Sequence, residues 1–152
     1  MADEGSAKKP KNSATTLVLL SSAHVVMTQE AAGRIHRYRR TNLAFATIAE
    51  ANLSYAQVLE ICDRMGRTGR GLLIDSRDAP GRNDPAFEAA LLEFSRRALP
   101  GYAAVAILLK TAMGRLQAQR FERQRSSSHL VTDDEAAAIA YLLAAAQGPL
   151  PR

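Results

Sequence analysis

The chain has 152 residues, 47% of them hydrophobic, with 20 basic against 15 acidic side chains and a net charge of +5. One domain with a real core follows, since a domain of this size removes roughly 70% of its unfolded surface from water, and a surplus of this kind favours an acidic partner without specifying nucleic acid. No apolar run approaches the ~18 residues a bilayer-spanning helix needs, no hydrophobic stretch is placed as a cleavable signal, and the single Cys62 lacks a second cysteine for a disulfide or a zinc site.

A reducing, cytoplasmic location is therefore the expectation. Only four basic residues are Lys (8, 9, 11 and 110), leaving 16 Arg. With the many Ala, this composition suits a GC-rich bacterial genome.

Residues 1–14 are polar, with Gly, Pro, Ser and Lys and almost nothing to bury, and predict a disordered tail. Thr15 to Leu20 (TTLVLL) and His24 to Gln29 (HVVMTQ) are two short strand candidates. Glu30 to Gly33 (EAAG) reads as a turn, because Gly supplies positive φ without strain. Arg34 to Arg40 (RIHRYRR) is then the return strand of a hairpin. Its alternation is poor and its charge is high, so an edge position is expected for it.

Thr47 to Met65 predicts the first helix. Thr47 with Glu50 matches a capping box. Ile48, Ala51, Tyr55, Val58, Leu59, Cys62 and Met65 recur at helical spacing, and Gly66 and Gly69 end the run. Gly71 to Asp75 (GLLID) has no polar alternation until its end, the pattern of a strand covered on both faces. A second helix starts with Asp84 as N-cap and Pro85 at N1, runs to Ala98 and stops at Pro100 and Gly101.

Ala103 to Leu109 (AAVAILL) predicts another buried strand. Thr111 then caps a third helix over about 112–125, with Arg115, Arg120, Arg123 and Arg125 outward. Ser128 to Val131 is a short strand. Thr132 with Glu135 matches a second capping box ahead of a last helix, Ala136 to Ala146, closed by Gly148 and Pro149. The domain is expected over 15–148, with 149–152 as a tail. Strands alternating with helices imply parallel pairing through right-handed crossovers. The fold class is α/β: one mixed sheet of four to six strands with about four helices.

Chemistry is sparse at the level of spacing. His24, His36 and His129 lie in separate predicted strands without ligand spacing, so no metal site is expected. No nucleophile elbow or phosphate-binding glycine motif is present. Cys62 sits on an apolar helix stripe, where an inert thiol is the expectation. No cofactor and no enzymatic activity are expected.

Functional groups collect beyond the carboxyl ends of parallel strands in open α/β sheets. That places Asp75, Ser76, Arg77, Asp78, Arg82, Asn83 and Asp84 together as a partner-binding loop, with an ordinary strand-to-helix joint as the competing reading. Two alternatives remain open. One is a small-ligand or anion site using Arg77 and Arg82. The other is a nucleic-acid surface using Arg34, Arg37, Arg39 and Arg40 in strand 34–40 together with Lys110 and helix 112–125.

The element order, together with the "LLID" strand and this loop, resembles the STAS domain of the SpoIIAA-like anti-sigma factor antagonists, over about Thr15 to Gln147. The resemblance implies a non-catalytic regulatory or scaffolding domain that acts by protein–protein contact, with a homodimer among the expected assemblies. The family's Asp-Ser-Ser-Gly motif, aligned on the helix start, falls on Asn83, Asp84, Pro85 and Ala86. Its phosphoacceptor would thus be Pro85, which no kinase can modify, beside the permanent charge of Asp84.

Overall fold

A computed structural model describes residues 15–82, 84–111, 114, 116, 119 and 129–151. Six strands form one mixed sheet in simple sequential order: β1 (Leu17–Ser21), β2 (Val25–Glu30), β3 (Ile35–Arg40), β4 (Gly71–Asp75), β5 (Ala104–Leu108) and β6 (Leu130–Thr132). The first three are antiparallel neighbours, and β3 to β6 pair in parallel. The α/β class with one mixed sheet is as expected. Three helices are described: α1 (Ile48–Met65), α2 (Pro85–Ala98) and α3 (Glu135–Ala145). The helix expected over 112–125 lies largely outside the described residues; of it, Gly114, Leu116 and Gln119 are helical.

The expected edge position of the arginine-rich strand is corrected. β3 lies between β2 and β4. Ile35 and Tyr38 have opposite parity because both faces of this strand are covered. Tyr38 joins the core under α1 and α2, with Met27, Leu72, Val105, Val58 and Phe94. Ile35 joins a smaller core under α3, with Leu73, Ala106, Leu108, Ala138 and Leu142. Poor alternation was the mark of two-sided burial, as in GLLID.

The turn before β3 is tighter than its single glycine suggests. Ala31, Ala32 and Gly33 all have positive φ, at 53°, 54° and 87°. Only Gly adopts this conformation freely, so the two alanines carry a cost of order 1 kcal/mol each.

The helix starts differ from one another. Thr47 Oγ1 accepts from Glu50 N at 3.1 Å, as expected, but Glu50 returns its bond to Ala46 N, one residue earlier than a reciprocal box requires. Asp84 is the N-cap of α2 but makes no capping bond; its carboxylate accepts from Arg82 instead. The second expected box is corrected. Thr132 ends β6, too early to cap, and Asp134 caps α3 by accepting from Ala137 N at 3.1 Å.

Gly71 is required by close approach. A Cβ there would stand 2.8 Å from Leu142 Cβ, so its absence lets α3 settle against β4. Residues 148–151 lie along the opposite end of the sheet. Arg34 donates to Gly148 O, and Leu150 and Pro151 pack beside Gly33 and Gly66.

Candidate functional site

The strand β4 ends in Asp75, whose carboxylate is 2% exposed on the α3 side of the sheet. A buried carboxylate is expensive unless its lone pairs are filled. Arg77 fills them by folding back across its own turn: Nε donates to Oδ1 at 2.9 Å and a terminal nitrogen donates to Oδ2 at 2.8 Å. This two-pronged geometry is the strongest an Arg and a carboxylate can make. Burial pushes the Asp75 acid upward, but the hydrogen bonds from Arg77 outweigh it and hold the carboxyl below its usual range.

Parallel pairing with β3 brings a second guanidinium to the same place. Arg37 donates to Glu30 Oε2 at 2.7 Å, to Asp75 Oδ2 at 3.2 Å and to Glu135 Oε1 at 2.7 Å. Burial disfavours its charge, but the bonds to Glu30 and Glu135 prevail and hold it more firmly protonated than an ordinary Arg. Arg77 reaches Glu135 as well, at 3.5 Å. Five charged residues from β2, β3, β4, the following loop and the start of α3 thus form one closed network. Beside it, Thr16, Val26, Thr28 and Arg39 line an open depression of about 270 Å³ with members of the network.

The expected loop residues do not form one cluster. Asp75 and Arg77 belong to the network, and Ser76 N donates to Leu108 O at 3.0 Å, fixing the strand end. Asp78 is exposed at the tip. Arg82 and Asp84 form a separate anchor at the other end. Arg82 pairs with Asp84, donates to Phe45 O and lies 3.5 Å from the centroid of the Phe87 ring. Asn83 lies outside the described residues. The anion site built on Arg77 and Arg82 is therefore not assembled: each guanidinium holds its own carboxylate at a different end of the loop.

The four arginines of strand 34–40 are also dispersed. Arg34 donates to backbone carbonyls of Gly69 and Gly148. Arg37 is caged by three carboxylates. Arg40 lies on the opposite face, 4.1 Å over the Phe45 ring, and donates to His24 O and Leu43 O. Arg39 lines the open depression together with Arg37. Of the basic residues on the expected helix, Arg115, Arg120, Arg123 and Arg125 lie outside the described residues.

Sequence reading missed Glu30 and Glu135 as members of the network, having assigned one to a turn and the other to a cap. Glu30 reaches Arg37 across the β2–β3 pair and Glu135 reaches it from the start of α3, while the β3–β4 register adds Asp75.

A second polar network lies under α1, inside the larger core. His36 is fully buried, with Nδ1 2.9 Å from Tyr102 Oη and Nε2 3.2 Å from Gln29 Oε1 and 3.4 Å from an Arg70 nitrogen. Arg70 can only donate, so Nε2 accepts, the proton sits on Nδ1 and points to the tyrosine oxygen, and the Gln29 amide is best turned nitrogen-first. Tyr102 in turn donates to Cys62 Sγ at 3.3 Å. Burial, reinforced by Arg70 and Arg67, lowers the His36 pKa to about 4. Burial also raises the Cys62 thiol above its usual range. A neutral imidazole and a protonated thiol sealed in the core serve packing and polar satisfaction.

Among the described residues, no three His, Cys, Asp or Glu side chains are grouped to hold a metal ion, and no helix is long and apolar enough to cross a membrane. In comparisons with family models, curated proteins and solved structures, nothing matched this chain.

Proposed function

We propose that the chain is a non-catalytic regulatory or scaffolding domain of STAS-like character, acting in the cytoplasm by protein–protein contact through the loop after β4 and the first turn of α2. One observation carries this reading: the loop is clamped at both ends and exposed between them. Arg77 on Asp75 holds one end, and Arg82 on Asp84, Phe45 and Phe87 holds the other. Asp78, Pro80 and Gly81 stand out between the clamps, followed by exposed Pro85 and Ala86. An exposed loop already held in one shape loses little entropy on binding, which suits it to recognition.

The STAS likeness rests on the leading hairpin, the alternating parallel strands and the position of this loop. At the family's phosphoacceptor position stands Pro85, at the first position of α2. The Asp84 carboxylate is engaged by Arg82 rather than by the helix. A permanent charge at the helix start, without a phosphorylation switch, is the corresponding proposal.

The test is co-purification from the native host with the immobilised wild-type chain, an Asp78→Arg/Pro80→Gly double variant and Asp84→Asn. The double variant is expected to lose its specific partner by about tenfold or more, equivalent to about 1.4 kcal/mol. Glu93→Arg, on the exposed side of α2, should keep it. Equal recovery by the double variant removes the loop from the proposal. Unchanged recovery by Asp84→Asn removes the charge at the helix start from it.

A further inference from the structure

The three described helices treat solvent differently. α1 exposes Gln57, Glu60, Asp63 and Arg64, and α2 exposes Glu93, Arg96 and Arg97. From Ala136 to Ala145, α3 has no charged residue at all, yet most of that stretch is exposed. Tyr141 and Leu143 are 40% and 36% exposed, flanked by Ala140 and Ala144. A helix that is apolar all round belongs in an interior.

The sheet beneath it is also incompletely covered. Six strands about 4.8 Å apart span roughly 24 Å, wide enough for two helices of about 10 Å side by side. On this face α3 lies over β4, β5 and β6. Val18, Val26 and Thr28, on β1 and β2, have no helix over them among the described residues. Val18 is 58% exposed. Among the described residues, this face therefore has one helix too few, and α3 has one apolar side too many.

We infer that both deficits are filled by a second copy of this chain, related by a twofold axis, whose α3 roofs β1 and β2 while its own open strands receive α3 in return. The two α3 helices share one layer between two sheets. A twofold contact requires a surface complementary to itself, and this one is: an uncharged helix flank faces an uncovered strand pair in both directions. Nearby charges are balanced, since Arg37, Arg39 and Arg77 stand against Glu30, Asp75 and Glu135. Small alanines permit close helix approach. An 11-residue helix alone, about 16 Å long, is too short for a stable contact of ~1,200 Å² or more. The strand surface supplies the remainder. Residues 1–14, which precede β1, contain no Val, Ile, Leu, Phe or Tyr and offer little to cover it. This inference is independent of the loop after β4.

Sedimentation equilibrium of the full chain over micromolar to millimolar concentrations tests it. The wild type is expected to be dimeric. Leu143→Lys and Ala140→Arg should each be monomeric, and so should Val26→Lys on the opposing surface. Leu53→Lys, on the exposed side of α1, should remain dimeric. Far-UV circular dichroism confirms that each variant is folded. As a second measure, a Val26→Cys/Ala140→Cys double variant should form an oxidised covalent dimer, with Cys62 buried and unreactive. A wild type that stays monomeric at millimolar concentration overturns the inference. So does a dimer that survives Val26→Lys, or one that Leu53→Lys dissolves.

Discussion

The two faces of the sheet solve the same problem with different materials. Under α1 and α2 the core is large and aromatic: Tyr55 stacks on Phe94 at 4.5 Å, and Tyr38 and Phe45 lie against that pair. Under α3 the core is built from Ile, Leu and Ala. Each face also carries a polar network, and their chemistry follows their depth. The His36 network is deep and, apart from Arg70, which is buried against the carbonyls of Met65 and Gly66, it is neutral. The Arg37–Asp75–Arg77 network is fully charged, and it stays at the rim, where Glu135 and Arg77 still meet water. Ions are tolerated where partners are plentiful and solvent is near; deeper in, the groups that titrate near neutrality give up their charge.

The largest expected effect tests how far α3 holds its face. Leu142 is fully buried against Gly71. Leu142→Ala should cost about 4 kcal/mol in urea denaturation, as truncations of fully buried Leu do. A loss below about 1 kcal/mol would mean that α3 is only loosely attached to the sheet.

The two networks should separate by pH. The folded-state pKa of His36 is lowered from 6.5 to about 4, so between these values the unfolded chain binds the extra proton. Stability from this group is complete above about pH 6.5 and falls by about 3 kcal/mol as pH drops to about 4. NMR titration of the imidazole checks the assignment, and an unperturbed His36 would refute it.

Asp75 acts in a lower window. Its folded pKa is depressed, so its contribution holds above the ordinary carboxylate value and disappears as pH falls through the folded value. Asp75→Asn should cost about 2 kcal/mol at neutral pH, discounted for the partial exposure of Arg77, and should flatten the profile only below about pH 4. Flattening in the His36 window instead would mean that the two networks are coupled.

The smallest effect compares helix starts. Asp134→Ala removes a real capping bond and should cost about 1 kcal/mol, whereas Asp84→Ala should cost no more than a few tenths, because its carboxylate does not cap. Equal losses would show that the Arg82–Asp84 pair supports the helix as strongly as a cap does.

Much of the fold was legible from local patterns. Thr47, Pro85, Gly66 and the runs GLLID and AAVAILL mark element ends and two-sided burial through propensity and capping, which act within a few residues. The boundaries that shifted, such as Thr132 against Asp134, involve adjacent residues of similar capping chemistry. Asp75 and Arg77 were legible as functional-site candidates because a strand end followed by turn residues is a local signal. Their partners were not, because Glu30, Arg37 and Glu135 are separated by 98 positions between Arg37 and Glu135 alone.

The sequence by itself determined the class of the fold, the order of its elements and the presence of a loaded loop after β4, because hydrophobic period, turn residues and caps are short-range properties of the chain. Only the tertiary structure decided that the arginine-rich strand is central, that its four arginines go to different neighbours, that the loop is clamped by two separate ion pairs, and that the most apolar helix has a face left uncovered. Those outcomes depend on strand register and on which face each helix takes, and both are set by packing between residues far apart in the chain.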